Sequence, residues 1–333
     1  MRILVWHVHG GWMDAFVRGR HEYLVPTEPG EATTVGSSGR PWPAGVIQID
    51  PARLREEAVD VVVLQRSEDI DEAERLLGRR PGRDIPAVWL EHNTPRGGVP
   101  NERHPLADRN DIVLAHVTHF NQLMWDSGDA PTVVIEHGIP DPGPRYTGER
   151  AHQGVVINEP VRRWRVTGTD LLPRFAAVAP IEAFGIDCDL LPGALGLGDR
   201  VVLGGNLDAE AMHTALAQCR LYLHPVRWTS LGLSLLEAMH LAMPVVVLSA
   251  TEAPRAVPPE AGAISADVDA LVREARRLLA YPDEARARGR AAREVALERY
   301  SLQRFQDRWD EVLADATAHP RRAGGSDGRA GTG

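Results

Sequence analysis

Residues 221–247, LYLHPVRWTSLGLSLLEAMHLAMPVVV, decide the fold of this chain. An apolar strand ends in His224 and Pro225, a loop containing Gly232 follows, and an apolar helix then leads into a second strand at 245–248. Strands that alternate with helices form parallel sheets, because the crossover helix must pack back onto the sheet. The stretch therefore predicts one strand–helix–strand unit of a parallel α/β sheet.

The same alternation recurs along most of the chain, which predicts two α/β domains. The other predicted strands are 3–8, 60–64, 87–90, 112–115, 132–135, 154–157 and 201–203. The segment PDPGP at 140–144 interrupts the pattern and is typical of a linker. We therefore expect an N-terminal domain at 1–143, a C-terminal domain at 144–319 and a disordered Gly/Ser/Arg-rich tail at 320–333.

The composition restricts the class of partner. The chain has 333 residues, a hydrophobic fraction of 43% and a net charge of -9, so it is a globular protein without the basic surface that nucleic acids require. Lysine is absent, and all 37 basic residues other than histidine are arginine. Any phosphate site must then use arginine or backbone N–H groups.

Neither a metal site nor a membrane segment is predicted. Cys188 and Cys219 have no metal spacing, which indicates buried thiols in a reducing compartment. Four histidines lack the accompanying Cys or carboxylate frame of a metal site, namely His7, His9, His116 and His119. The N-terminus is too short and too polar for a signal peptide, and no segment could span a bilayer. We therefore expect a cytoplasmic protein without a metal or cofactor.

The loop and helix of the opening stretch carry the strongest chemical signal. A helix that begins after a glycine-containing loop presents unpaired N–H groups, which suit phosphate oxygens or sugar hydroxyls. Glu237 lies in an apolar turn of that helix, where a carboxylate needs partners. The ribose hydroxyls of a nucleotide could be those partners, or His240 one helical turn away could pair with the carboxylate. A third alternative is that the Glu237 side chain is simply exposed.

Residues 221–247 resemble the nucleotide-sugar site of retaining GT-B glycosyltransferases, in particular glycosyltransferase family 4 (glycosyl transferases group 1). The resemblance continues more weakly in EHGIP at 136–140, in GTDLL at 168–172 and in RYS at 299–301. It implies two Rossmann-like domains facing each other across a cleft, with a last helix at about 300–316 that packs back on the first domain. It also implies sugar transfer from a nucleotide-diphosphate sugar, with retention and without a metal.

The resemblance implies donor-binding residues in the second domain. Glu237 would bind the donor ribose, and the loop around it would contact the donor sugar and diphosphate through Ser230, Leu231, Gly232 and Leu233. Thr229 stands where the family has a second glutamate that contacts the donor sugar. The choice of sugar is therefore left open.

The resemblance also implies an arginine clamp on the leaving diphosphate. Arg162, Arg163 and Arg165 follow the strand that ends near Asn158, and Thr167 occupies the usual lysine position. We expect Arg163 or Arg165 to replace that lysine, because a guanidinium grips two phosphate oxygens at once. A solvated basic loop is the alternative.

In the first domain, catalytic and acceptor residues are expected at the ends of strands. His92 would contact the donor sugar and be needed for transfer, and Gly10 and Gly11 would let the backbone approach a ligand. The acceptor would enter near Trp12, Met13 and Asn93. It could be a small metabolite, a natural product, a glycan or a lipid-linked sugar.

Other functions fit the same pattern less well. A sugar-nucleotide 2-epimerase would share the fold, and a non-catalytic sugar-nucleotide-binding protein would be consistent with Thr229. A nicotinamide oxidoreductase would need a G-x-G-x-x-G fingerprint, which His9-Gly10-Gly11 does not provide. The oligomeric state is not predicted.

Overall fold

The computed structural model describes residues 1–36 and 39–318, which form two compact units. The first unit contains 1–34, 41–135 and the chain from Gln306 onward, and the second contains 35–40 and 136–305. The tail predicted to be disordered, 320–333, lies outside the described residues.

The first unit is built on a seven-stranded parallel sheet in the order β3-β2-β1-β4-β5-β6-β7. Its strands are β1 (Arg2–Val5), β2 (Glu22–Pro26), β3 (Val46–Ile49), β4 (Val61–Leu64), β5 (Ala87–Glu91), β6 (Val113–His116) and β7 (Thr132–Val134). Its helices are α1 (Gly10–Phe16), α2 (Ser67–Leu77) and α3 (His119–Met124). The central strands β4, β5 and β6 are buried along their whole length, as expected for a parallel sheet covered on both faces.

The last helix of the described chain, α12 (Leu302–Ala318), completes the core of the first unit. The Trp309 ring packs at 5.6 Å from Trp12 and at 4.9 Å from Phe16. Asp310 also accepts a 2.8 Å contact from His21. From Gln306 onward this helix therefore belongs to the first unit although it is last in sequence.

The second unit is built on a six-stranded parallel sheet in the order β10-β9-β8-β11-β12-β13. Its strands are β8 (Arg150–Val156), β9 (Ile181–Phe184), β10 (Val201–Gly205), β11 (Cys219–His224), β12 (Val245–Leu248) and β13 (Gly262–Ser265). Its helices are α4 (Pro160–Thr167), α5 (Leu172–Ala176), α6 (Leu191–Leu195), α7 (Ala209–Leu216), α8 (Leu233–His240), α9 (Ala253–Ala256), α10 (Val268–Ala280) and α11 (Pro282–Arg299). The two parallel sheets confirm the predicted α/β class.

Four strands are absent from the sequence-based expectation, namely β2, β3, β9 and β13. Each is short, and β9 carries Glu182 in its centre, so its apolar run is too brief to stand out. These four segments become strands because their backbones hydrogen-bond to neighbouring strands of the sheet. A Cβ on Gly262 at the start of β13 would lie 2.0 Å from the Val245 carbonyl oxygen, so only glycine allows this strand to pair with β12.

The boundary between the units lies between Ile135 and Glu136, before the division predicted at residue 143. The PDPGP segment is anchored in the second unit. Ile139 N–H donates to the Tyr300 carbonyl at 3.0 Å, and Asp141 accepts from Arg293 at 2.6 Å. These contacts, which join positions far apart in sequence, hold the predicted linker in place.

Candidate functional site

The carboxyl end of β11 carries the loop and helix that the sequence singled out. Gly232 caps α8 without a side-chain hydrogen bond, so its first turn retains unpaired N–H groups. A Cβ on Gly232 would lie 2.7 Å from the His224 ring, so only glycine lets the helix begin this close to the strand end. Ser230 and Leu231 are buried, whereas Thr229 and Leu233 are half-buried.

Glu237 is accessible on the second turn of α8. Its side chain is 20% exposed, and its carboxylate lies 3.5 Å from Nε2 of His213 on α7. His240, the alternative partner, is buried, and its Nδ1 donates to the Leu236 carbonyl at 2.8 Å. The Glu237 carboxylate thus lies among buried apolar neighbours with access to solvent, as a ligand-binding carboxylate requires.

The arginine cluster lies on helix α4, which follows strand β8. Arg162 pairs with Glu159 and Arg165 pairs with Asp170, and both arginines remain exposed. The backbone of Trp164 interrupts the helix, with φ of 23° and ψ of -91°. Such a conformation is costly, and strained residues cluster at ligand sites.

Thr167, at the usual lysine position, belongs to a buried hydroxyl chain. Its hydroxyl lies 2.9 Å from that of Thr169, which donates to the Pro160 carbonyl. The Thr167 hydroxyl is therefore engaged within the protein.

Sequence reasoning missed Arg227, which ties α4 to the loop after β11. Its guanidinium donates to Asp170 at 2.9 Å and to the Arg165 carbonyl at 3.0 Å. Burial opposes ionisation of Asp170, but the hydrogen bonds and charge of Arg227, with the charge of Arg165, outweigh it and lower the pKa of Asp170. The arginine cluster and the 229–233 loop are thereby held at one edge of the sheet.

A glycine contact joins the same two segments. Gly168 ends α4 with φ of +76°, and a Cβ there would lie 1.9 Å from the Pro225 carbonyl oxygen. Position 168 therefore accepts only glycine, both for its backbone angle and for this approach. Both residues lie within motifs that the sequence analysis singled out, GTDLL at 168–172 and the stretch 221–247, but their contact could not be predicted from the sequence.

In the first unit, the ends of β1, β4 and β5 bring His92 and the Gly10-Gly11 turn together. The rings of His9 and His92 lie 3.8 Å apart, and His9 is the N-cap residue of α1, which begins at Gly10. His92 Nε2 lies 3.2 Å from Oε1 of Gln65. His9 and Gln65 were not predicted as site residues. Burial lowers the pKa of His9.

Asn93 is held by its backbone beside His92. Its N–H donates to the buried Glu91 carboxylate at 2.7 Å, and its carbonyl accepts from the Trp125 indole at 2.8 Å. Its side chain accepts from the exposed Arg96. Glu91 also lies 3.1 Å from His104 Nε2, so a buried network fixes the turn that carries His92.

The side chains of Trp12 and Met13, which the sequence analysis placed near the acceptor, are buried. Trp12 is 2% exposed and Met13 is fully buried. The periodicity of a short helix does not reveal which face the rest of the unit covers. Here α12, which is distant in sequence, supplies Trp309 to cover Trp12.

No group of three or more metal-ligating side chains occurs within residues 1–36 and 39–318. His116 is fully buried, and burial lowers its pKa to about 4. No helix among the described residues is both long enough and apolar enough to cross a membrane.

Comparison with known proteins adds a family match inside the second unit. Residues 186–281 match the family described as glycosyl transferases group 1. This region contains β11, α8 and Glu237 but not the arginine cluster of α4. Curated proteins, in contrast, include none whose sequence matches this chain.

Solved structures match far more of the chain. Sucrose-phosphate synthase from Thermosynechococcus elongatus is 15% identical with a TM-score of 0.68, covering 96% of this chain and 99% of that one. HepE of Anabaena, solved with UDP, is 15% identical with a TM-score of 0.66, covering 95% and 100%. The chain has the GT-B fold. Two Rossmann-like domains define this fold, and the two parallel units correspond to them.

A longer GT-B protein also matches. TarM of S. aureus, solved with fondaparinux, α-GlcNAc-glycerol and UDP, is 15% identical with a TM-score of 0.60. The match covers 76% of this chain but only 55% of TarM. At 15% identity these structures show a shared fold, and the family match covers residues 186–281.

Proposed function

We propose that this chain is a glycosyltransferase that moves a sugar from a nucleoside-diphosphate sugar to an acceptor hydroxyl. The observation that carries the proposal is Glu237 on α8, solvent-accessible, in the region that matches glycosyl transferases group 1. A carboxylate in this position can accept two hydrogen bonds from the vicinal hydroxyls of a ribose. The unpaired N–H groups at the start of α8 suit the neighbouring diphosphate.

The diphosphate would be stabilised as it leaves. The bond between the anomeric carbon and the diphosphate oxygen breaks, the acceptor oxygen bonds to that carbon, and the hydroxyl proton passes to the departing phosphate oxygen. Arg163 and Arg165 on α4, with the N–H groups of α8, would offset the growing negative charge. Retention without a metal is part of this proposal and follows the resemblance.

Other site residues have proposed roles in placing the sugar. His92 would contact the donor sugar near the Gly10-Gly11 turn, and Thr229 would offer a hydroxyl where related enzymes have a carboxylate. A hydroxyl can donate as well as accept, so Thr229 would change which sugar hydroxyl configuration is preferred. The acceptor is a hydroxyl compound whose class this proposal leaves unspecified.

UDP is the natural first probe, because TarM and HepE were solved with UDP. A panel of UDP, GDP and ADP and their sugar conjugates would be tested by thermal shift, since a ligand of the native state raises Tm. The tightest donor would then be incubated with an acceptor library, and products read by mass spectrometry. Formation of a glycosylated acceptor supports the proposal.

Glu237→Ala tests the donor site directly. We expect nucleotide affinity by calorimetry to fall about 10- to 100-fold, as for the loss of hydrogen bonds to a charged group. Glu298→Ala, which removes an exposed carboxylate on α11, is the matched control and should bind like the wild type. Unchanged affinity in Glu237→Ala would refute the assignment. Donor isomerisation without an acceptor would instead indicate an epimerase, and binding without turnover a non-catalytic protein.

A further inference from the structure

His213 is a buried imidazole whose place in the fold needs an explanation. It lies on the inner face of α7 and is completely buried, whereas Glu210 on the outer face pairs with Arg145. A buried polar ring without a hydrogen bond is costly. Within the described part of the chain, neither ring nitrogen of His213 makes a hydrogen bond.

The nearest partner of His213 is the carboxylate of Glu237. Nε2 lies 3.5 Å from Oε1, a little longer than an N–H···O hydrogen bond, so a small movement of either side chain would form one. His213 approaches from α7 and Glu237 extends from α8. The contact therefore reaches the carboxylate from a helix other than its own.

Two other polar groups near Glu237 have partners of their own, although Nε2 of His240 makes no hydrogen bond among the described residues. The Tyr222 hydroxyl donates to Ser234 Oγ at 2.8 Å, and Nδ1 of His240 donates to the Leu236 carbonyl. Nε2 of His213 is the ring nitrogen that lies 3.5 Å from the carboxylate, so His213 is positioned to orient it.

We propose that His213 is a positioning residue that orients Glu237 toward the ribose of the bound nucleotide. This inference rests on the proposed function. A glutamate side chain samples several rotamers in solvent, and a donor fixed at Oε1 selects one of them. The second oxygen and the remaining lone pairs then face the ribose hydroxyls. Without His213, the carboxylate is still present but is no longer held for that contact.

The test measures ribose recognition in the full-length chain. The tightest binder among UDP, GDP and ADP is compared with its 2′,3′-dideoxy analogue by calorimetry, and the affinity ratio reports the ribose contact. For the wild type we expect a ratio of about 10 to 100, as for hydrogen bonds to a carboxylate. His213→Leu should lower this ratio about fivefold or more. His213→Gln should keep most of it, since its amide can also donate to Oε1.

His240→Leu is the matched control, because it removes another fully buried imidazole from the same region whose Nδ1 is bonded to the Leu236 carbonyl and not to Glu237. It should leave the ratio unchanged, and thermal melts establish that each variant is folded. If His213→Leu does not fold, His213→Asn replaces it. That side chain is polar but too short to reach Oε1, so it too should lower the ratio.

The outcomes separate this inference from the proposed function. If the wild type binds both nucleotides equally, or if Glu237→Gln leaves the affinity ratio unchanged, the assignment of the ribose site is wrong. Both the proposed function of Glu237 and the role of His213 are then overturned. If Glu237→Gln abolishes the ratio but His213→Leu or its Asn substitute retains it, only the role of His213 is overturned. An equal loss in His240→Leu would show a general packing effect and would also overturn it.

Discussion

Arg227 donates from both terminal guanidinium nitrogens to Asp170, with N–O distances of 2.5 and 2.9 Å. The pair joins the loop after β11 to the start of the segment that follows α4. Because both side chains are mostly buried, the interaction is screened less than a surface ion pair. It holds the arginine cluster beside the proposed donor loop.

Replacing Arg227 should both destabilise the second unit and weaken donor binding. Arg227→Gln is expected to lower the free energy of unfolding by about 1–2 kcal/mol. The pKa of Asp170 is lowered in the folded state, so this stabilisation is present above the unfolded pKa and disappears as the pH falls through the folded one. Urea unfolding at pH 7 and at pH 3 would measure it, with Arg304→Gln on α12 as an exposed control. A difference from wild type that is as large at pH 3 would contradict the ion-pair explanation.

A methyl group at position 168 should disrupt the contact between α4 and the end of β11. Gly168→Ala combines positive φ strain with a Cβ placed 1.9 Å from the Pro225 carbonyl, so we expect a loss of about 3 kcal/mol or more. Gly196→Ala has a similar φ of +65° but no atom within 4 Å, and should cost only about 1 kcal/mol. Chemical denaturation compares the two, and equal losses would mean that the Pro225 contact is unimportant.

Loss of the His92 ring should reduce turnover more than donor binding. Under the proposed function, His92→Ala is expected to lower kcat about 100-fold by misplacing the sugar, while affinity for the nucleotide alone changes less than about twofold. Steady-state kinetics with the donor found above, together with calorimetry, would show this. His119→Ala removes an exposed histidine on α3 and should behave like wild type. Full activity in His92→Ala would remove this residue from the mechanism.

Trp12 should contribute to stability and not to acceptor recognition. Trp12→Ala empties a buried site between Phe16 and Trp309, so the free energy of unfolding should fall by about 3–5 kcal/mol. Trp42→Ala, at a half-buried position, should cost less than about 1 kcal/mol. Thermal and urea unfolding provide the measurement. If Trp12→Ala keeps wild-type stability but its KM for the acceptor rises, Trp12 would instead be an acceptor-side residue.

Acid should destabilise the second unit through His224. Burial lowers the pKa of His224 to about 4 from the 6.5 of an unperturbed histidine, so the unfolded chain binds a proton first. Stability conferred by the neutral ring is therefore complete above pH 6.5 and falls between pH 6.5 and pH 4, by about 3 kcal/mol. His224→Gln should flatten that part of the stability profile, and an unchanged slope would contradict the assignment. His119→Gln is the exposed control.

Much of the fold was predictable because its signals are local. Buried strands such as β12 are continuous apolar runs, and Gly232 with Glu237 marks a loop and helix whose spacing lies within one short stretch. The same reasoning missed β9, because Glu182 breaks its brief apolar run. It also placed Trp12 beside the acceptor, because a helix does not specify which other element will cover it.

What the sequence alone determined is the class of fold and the location of the loop and helix at 229–240, since periodicity, glycines and apolar runs act over a few residues. Only the tertiary structure decided which side chains meet. Arg227 pairs with Asp170 across 57 positions, the His9 ring lies 3.8 Å from that of His92, and His213 approaches Glu237 from another helix. These contacts form where the carboxyl ends of the parallel strands and their helices converge. The order of the strands in the sheet sets which ends converge, and no local sequence pattern specifies that order.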